Sequence, residues 1–353
     1  MPRQANYYGL ILAGGRGTRF WPRSRRTRAK QVLRFLGDRS LIQQTVDRLS
    51  PVIPPDRLWV LTNEHLRAEI VRQLPELPKN QILAEPTQRN TAPAIGLAAH
   101  ILQSIDPNAV MGVFPSDHMI SKPARYLRFV RAAFKAAAEG KIVVLGIQPR
   151  WPETGYGYIE FPKGVDAGSL DPLPVRNFRE KPDLATAKRY VKNGNFHWNA
   201  GMFFWKTSVL LDAMREFLPK TATLLASLPA FASRQFPSRL KEAFPRCENI
   251  SIDYAVMESA KNVYVLPATF DWNDLGTWGS LHEKLPKDDN NNAVVNAKVL
   301  LQNSSSNIIS TAKDKLVIVD GLEDFIIVDK DNVLLIYPKS KEQEIKGIVS
   351  QLQ

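Results

Sequence analysis

Residues 7–22 read YYGLILAGGRGTRFWP. An apolar run leads directly into a loop carrying Gly14, Gly15 and Gly17. A run this short reads as a buried strand. Glycines directly behind it adopt backbone angles that other residues avoid, and they let backbone N–H groups approach an oxyanion closely. The loop is neither G-x-x-x-x-G-K-[ST] nor G-x-G-x-x-G, because Phe20 stands where the last glycine of the latter is needed. The ATPase phosphate loop and the dinucleotide fingerprint are therefore both disfavoured. A strand feeding a different anion-binding loop remains, and the fold is read outward from it.

Further apolar runs at 58–62, 81–84, 110–114 and 142–146 read as strands. Between them lie helical faces: Leu41, Ile42, Thr45, Val46 and Leu49; then Ile95, Leu97, Ala98, Ile101 and Leu102; then the helix formers of 126–139. Strands and helices alternating every ~25–30 residues predict parallel βαβ units in a wound sheet. From about residue 151 glycine, proline and aromatics become frequent, with strands expected at 175–180 and 202–205 and helices at 184–192 and 207–217. The polar run DDNNNA marks a change near Asp288. Beyond it, strands at 298–301, 307–310, 316–319, 325–328 and 333–337 predict a small all-β coil. A closing helix is expected to bury Ile345, Ile348, Val349 and Leu352 on one face. The expected domains are thus 1–287 and 288–353.

The chain has 353 residues and a net charge of +12, and eight basic residues without an acid fall within 16–34. Most of the excess charge is therefore local. Three readings compete for it: a nucleic acid, a small phosphorylated ligand, or solvent. No apolar run approaches the ~18–20 residues that span a bilayer, and an Arg-rich segment after the first apolar run is the wrong order for a secretory signal. Cys247 is the only cysteine and has no metal or redox motif around it. It reads as passive, and a cytoplasmic protein is expected.

Within the basic tract, Arg19 and Lys30, with Arg16, suit a triphosphate and a departing pyrophosphate: arginine offers a planar fork, lysine a point charge. A solvated basic loop is the alternative. In EPTQRNTAPAI (85–95), Asn90 or Thr91 suits a helix cap and Pro93 its first turn. Glu85 carries a second meaning, because a carboxylate accepts from both N1–H and the N2 amino group of guanine and is repelled by adenine N1. VMGVFPSDHMI (110–120) sets Asp117 just past a strand end, where wound sheets bind ligands, so Asp117 is a Mg²⁺ candidate. His118 reads as a packing or hydrogen-bonding residue. In FREKP (178–182), Glu180 suits paired sugar hydroxyls and Lys181 a sugar phosphate, and Asn199 with Gly201 in WNAGMFFW (198–205) suits hydroxyls. In ISIDYAVME (250–258), Asp253 reads as a helix cap. In FDWNDLGTW (270–278), Asp271 reads as a turn former and Trp272 and Trp278 as packing groups.

These motifs, in this order, resemble the sugar-1-phosphate nucleotidylyltransferases, in the mannose-1-phosphate guanylyltransferase branch. AGGRGTRFWPRSR…AKQ resembles the branch's G-G-x-G-T-R-x-W-P-x-S-R…P-K-Q, with Ala29 where the family has proline. The resemblance covers about residues 7 to 340. It implies a Rossmann-like α/β fold with a wound mixed sheet and a small C-terminal all-β domain of left-handed β-helix type. It implies nucleotide contacts from Ala13, Gly14, Gly15, Gly17, Thr18, Arg19, Lys30, Glu85, Asn90, Thr91, Ala92, Ser116 and Asp117. Sugar-phosphate contacts follow for Gly155, Tyr156, Gly157, Glu180, Lys181, Asn199 and Gly201. Asp117 and Asp274 would hold Mg²⁺ or another divalent cation, and Arg19, Lys30, Lys181, Asp117 and Asp274 would be catalytic. The implied reaction joins GTP and mannose 1-phosphate into GDP-mannose and pyrophosphate, in a homodimer with no nucleic-acid or membrane partner. The same chemistry on a heptose or glucose 1-phosphate is one rival, a basic nucleic-acid-binding protein a second, and an inactive nucleotide-sugar sensor a third. The chain ends short of the cupin-like isomerase domain of longer members, so a single activity is expected.

Overall fold

The computed structural model describes residues 6–15, 17–25 and 28–352; Arg16 and Arg26 of the basic tract lie outside them. The chain forms two compact units. One takes residues 6–14, 46–116 and 120–272; the other takes 15, 17–25, 28–45, 117–119 and 273–352.

The first unit is built on a ten-stranded sheet. Its main path runs Ile82–Glu85, Leu58–Asn63, Tyr7–Leu12, Val110–Pro115, Phe196–Lys206, Ile142–Ile147, Val263–Ala268 and Leu173–Pro174. Tyr7–Leu12 pairs in parallel with Leu58–Asn63 on one side and with Val110–Pro115 on the other. Strand order reverses there, and the glycine loop leaves from the carboxyl end of that strand, the place where wound sheets bind ligands. Phe196–Lys206 runs antiparallel to both neighbours, which makes the sheet mixed. The faces expected on the helices Leu41–Leu49 and Thr91–Ile105 are buried throughout. Thr91–Ile105 is apolar nearly all round and is buried in the core over most of Ala92–Leu102, with Ser104 and Ile105 exposed at its end.

Several boundaries differ from expectation. The strand expected at 81–84 is Ile82–Glu85, because Gln81 closes a short 3-10 turn; Glu85 therefore pairs beside Asn63 at the strand end. The strand expected at 175–180 is cut to Asn177–Arg179, and that at 202–205 extends to Phe196–Lys206. This longer strand carries a register shift between Asn199 and Phe203, with Gly201 at φ 67°. Such a bulge bends a strand and re-aims its side chains.

In the second unit, the segments 307–310 and 316–319 belong to one strand, Ile308–Asp320. It pairs in parallel with Ala293–Gln302 before and after a register break between Val295 and Ala297, where Asn296 sits at φ 61°. Phe325–Lys330 pairs in parallel with Ile308–Asp320, and Val333–Pro338 closes the sheet antiparallel. The coil buries Ile309, Val319 and Ile327 on one side. A larger cluster joins Ile308, Ile326 and Val328 to Phe20, Leu33, Leu275, Trp278, Ile345 and Val349. The final helix is Ile345–Gln351. It ends before Leu352, which is exposed rather than on the buried face.

Candidate active site

In the first unit the loop start is pinned by the neighbouring strand. Ala13 N donates to Leu61 O at 2.8 Å, and Thr62 Oγ1 donates to Ala13 O at 2.9 Å. Gln88 Nε2 donates to Gly14 O at 2.6 Å. Glu85 lies directly against this loop: a Cβ added to Gly14 would stand 3.6 Å from Glu85 Oε2. Only 8% of Glu85 is exposed, and burial pushes its carboxyl up to about 8. Ser116 is buried, with its N–H on Leu12 O at 3.1 Å.

Asn90, at φ 65°, caps the helix Thr91–Ile105 by accepting from Thr91 N at 2.9 Å. Thr91 Oγ1 accepts from Ile252 N at 2.9 Å, and Ala92 N donates to Ile250 O at 3.1 Å. These polar groups therefore hold the helix start against the segment 250–252.

The sugar candidates converge on a group of carboxylates. A Cβ on Gly157 would collide with Glu180 Oε2 and stand 3.2 Å from Asn199 Cβ, so a glycine is needed for these side chains to meet. Glu180 is buried, and its Oε2 has no hydrogen-bond partner among the described residues. An orphaned buried carboxylate oxygen is costly unless a ligand hydroxyl satisfies it. Lys181 Nζ lies 2.5 Å from Glu180 Oε1. Burial opposes the Lys181 charge, but Glu180 outweighs it and holds the ammonium above its usual range. The bulge turns Asn199 inward: its Oδ1 accepts from Gly201 N at 2.9 Å, and its Nδ2 donates to Asp253 Oδ1 at 2.8 Å.

Asp253 was expected to cap a helix. It is the first residue of a π-helical turn, Asp253–Met257, whose cap position is taken by Ile252. It faces Asn199 instead, and burial followed by the charge of Glu180 pushes its carboxyl up to about 6. One π turn on, Glu258 Oε1 accepts from Glu180 N at 2.9 Å. Sequence periodicity missed both acids, because a turn of this width falls outside helical spacing; the signal available was two acids in an otherwise apolar ISIDYAVME. Gly155 stands apart, its N–H taken by Glu153 Oε1 at 2.9 Å. Tyr156 packs edge-on against Trp198 and Trp272. Asp271 accepts at its backbone carbonyl from Ser121 N at 3.1 Å.

In the second unit Lys30 is the hub. It is 6% exposed. Its ammonium lies 2.7 Å from Asp117 Oδ2 and donates to Asp274 O at 2.6 Å. Burial alone would raise the Asp117 carboxyl, but Lys30 and then His118 hold it below the usual carboxylate range. Asp274 Oδ1 accepts from Gly276 N at 3.0 Å, and Leu275 follows at φ 46° with its side chain fully buried. Gly17 sits at φ 60°, and a Cβ there would strike Lys30 Cβ at 2.6 Å. Gly15 O accepts from Gln31 Nε2 at 3.1 Å. Thr18 and Arg19 form the 3-10 turn Thr18–Phe20, with Arg19 exposed. Ala29 is buried at φ −69°, an angle that a proline also takes, so the departure from the family pattern leaves the backbone path to Lys30 intact.

Arg23 and Arg25 turn inward, whereas Arg28 and Arg34 are exposed. Arg23 donates to Arg34 O at 2.6 Å, stands 5.0 Å over the Phe35 ring, and is pushed down to about 10, chiefly by burial. Arg25 Nε donates to Pro22 O at 3.1 Å. Neither presents its charge as a nucleic-acid surface requires. Cys247 is buried, and burial pushes its thiol up to about 11, as suits a passive cysteine. Among the described residues, no helix is long and apolar enough to cross a membrane.

The chain is 38% identical over 348 residues to the xanthan biosynthesis protein XanB of Xanthomonas campestris pv. campestris, covering 98% of this chain and 73% of that protein. It is 37% identical, at the same coverage, to the mannose-1-phosphate guanylyltransferase of Escherichia coli. A crystal structure titled mannose-1-phosphate geranyltransferase, from Thermus thermophilus, superposes with a TM-score of 0.87 at 31% identity over 99% of both chains. Residues 298–352 match a family model described as a MannoseP isomerase/GMP-like β-helix domain. Residues 8–291 match the nucleotidyl transferase model, and the chain belongs to that family of enzymes.

Proposed function

We propose that this enzyme transfers GMP from GTP to α-D-mannose 1-phosphate, giving GDP-mannose and pyrophosphate. The observation that carries this reading is Glu85, a buried carboxylate set against the glycine loop. It is an acceptor suited to the two donors on the guanine edge. The orphaned Glu180 Oε2, with Asn199 and Asp253 beside it, suits sugar hydroxyls, and Lys181 suits the sugar phosphate.

The sugar-phosphate oxygen is already anionic, so it attacks the α-phosphorus without a general base. The bond from that phosphorus to the bridging oxygen breaks, and pyrophosphate leaves. The obstacle is bringing two anions together, so catalysis reduces to positioning and charge neutralisation. Lys181 holds the attacking phosphate, while Arg19 and the loop amides hold the departing one. Two of the three donors of Lys30 are spent on Asp117 and Asp274 O; its third donor would serve the phosphates.

Asp117 and Asp274 are the residues that would hold a divalent cation. Asp117 is held ionised, and two carboxylates plus phosphate oxygens make a set that Mg²⁺ accepts. When bound there, Mg²⁺ would supply charge neutralisation at the phosphates. A cytoplasmic homodimer completes the reading. The buried lone thiol needs no oxidising compartment, and Leu300, Leu316 and Ile318 leave an apolar row exposed on neighbouring strands. Light scattering on the purified protein tests the dimer.

The test of the reaction is pyrophosphate release with Mg²⁺, across four nucleoside triphosphates and mannose, glucose and heptose 1-phosphates. Release greatest with GTP and mannose 1-phosphate is expected. Folded protein that releases none with any pair defeats the reading, and preference for another sugar reassigns the substrate.

A further inference from the structure

The segment 339–344 (KSKEQE) follows the last strand of the second unit as a short 3-10 turn. It carries Glu342 back to the start of the helix Trp278–Lys284. There Glu342 Oε2 accepts from Gly279 N at 2.7 Å. Thr277 is the cap of that helix: its Oγ1 accepts from Ser280 N at 3.1 Å, and its N–H is received by Ser280 Oγ at 3.0 Å. A Cβ on Gly279 would stand 3.2 Å from Glu342 Oε1, so position 279 leaves just enough room for the carboxylate. The charges facing Glu342 are Lys339, on its own turn, and Arg19, on the turn of the glycine loop.

Asp274 lies three residues before Thr277. Between them Leu275, at φ 46°, buries its side chain in the cluster that also takes Phe20, Leu33, Ile345 and Val349. The loop bearing Asp274 is therefore anchored twice: by Leu275 in that cluster, and beyond it by the helix start that Thr277 caps and Gly279 ties to Glu342. A left-handed backbone angle at a leucine is strained and persists only where its surroundings over-determine it.

We propose that Glu342 is a positioning residue for the reaction, clamping the Asp274 loop, so that the β-rich C-terminal segment supports the catalytic carboxylate. This rests on the role proposed above for Asp274. Glu342 acts through the loop; none of its hydrogen-bond partners is in the proposed metal or phosphate set.

The test uses the full-length chain with Glu342→Ala and Glu342→Gln. Glu342→Ala removes the acceptor that ties Gly279 N to the C-terminal turn. Glu342→Gln keeps an acceptor for Gly279 and loses the charge facing Arg19. Hydrogen exchange is read first, without substrate. Exchange at 274–281 should rise about tenfold or more in Glu342→Ala, with the first unit's sheet unchanged. In turnover, Glu342→Ala should lower kcat about 5- to 10-fold and raise the Mg²⁺ needed for half-activation at least ~3-fold, leaving the KM for mannose 1-phosphate unchanged. Glu342→Gln should fall between it and wild type. Unchanged exchange at 274–281 overturns the proposal whatever the activity. So do kcat and Mg²⁺ dependence within about twofold of wild type, or an activity loss that only follows the loss of folded protein. An inactive wild-type chain counts against the proposed reaction instead, and the exchange result still decides the clamp.

Discussion

Glu85 offers a quantitative test of base recognition. Its carboxyl is pushed up to about 8 by burial, so without nucleotide it is mostly protonated at neutral pH. The guanine edge offers two donors and favours the carboxylate, so GTP must bind the minor ionised form and release a proton. At about pH 7 roughly a tenth of the protein is ionised at Glu85; at about pH 8.5 roughly three quarters is. Apparent affinity scales with the competent fraction, so GTP should bind about eightfold more tightly across that interval. The triphosphates titrate alike in GTP and ATP, so the ratio of their Kd values isolates the base. Calorimetry in buffers of different ionisation enthalpy should show nearly one proton released near neutral pH, on top of any seen with ATP. Stability moves the opposite way. A carboxyl whose folded value is raised favours the fold below its unfolded value and loses that contribution as pH climbs through about 8. The ligand-free protein should thus lose stability over the same range in which it gains affinity for GTP. In Glu85→Gln both trends should vanish, and the GTP over ATP preference should fall about 10- to 100-fold with the loss of a charge-assisted hydrogen bond. A GTP/ATP ratio that is flat with pH in wild type and unchanged in Glu85→Gln would refute the assignment.

Four further outcomes are expected. Asp117→Asn leaves the buried Lys30 ammonium without its counter-charge; turnover should fall ~100-fold or more and denaturant melts should show a loss of about 1–3 kcal/mol. Gly157→Ala drives a methyl into Glu180 Oε2 and Asn199, so the KM for mannose 1-phosphate should rise about tenfold while that for GTP holds. Asp253 is raised to about 6, so its carboxyl costs stability as pH rises toward that value; Asp253→Asn should flatten the stability profile between about pH 4 and 6, leave the melting temperature at about pH 7.5 equal or higher, and still raise the sugar-phosphate KM. Arg23→Ala should lower stability by about 1–2 kcal/mol, through the lost Arg34 carbonyl bond and Phe35 contact, without changing the KM for GTP.

What the sequence made legible is what local chemistry decides. The strand and glycine loop at 7–17 follow from a contiguous apolar run and from residues that tolerate φ 60° beside Lys30. The helix starting at Thr91 follows from Asn90 and Pro93. The reading fails where a distant partner sets the conformation. Asp253 looks like a cap in its own sequence window, yet it joins Asn199 because a bulge in another strand turns that amide toward it and a π turn replaces an α turn. The basic tract shows the same limit. Its arginines and its lysine are equally cationic in sequence, but Arg23 and Arg25 meet backbone carbonyls within their own stretch, whereas Lys30 meets a carboxylate carried by a different strand end. A guanidinium that finds a nearby carbonyl becomes a brace. The Lys30 ammonium instead ends buried against Asp117, at the end of a distant strand. The function of a charge cluster is therefore settled by which acceptor each cation finds, and that is a property of the fold.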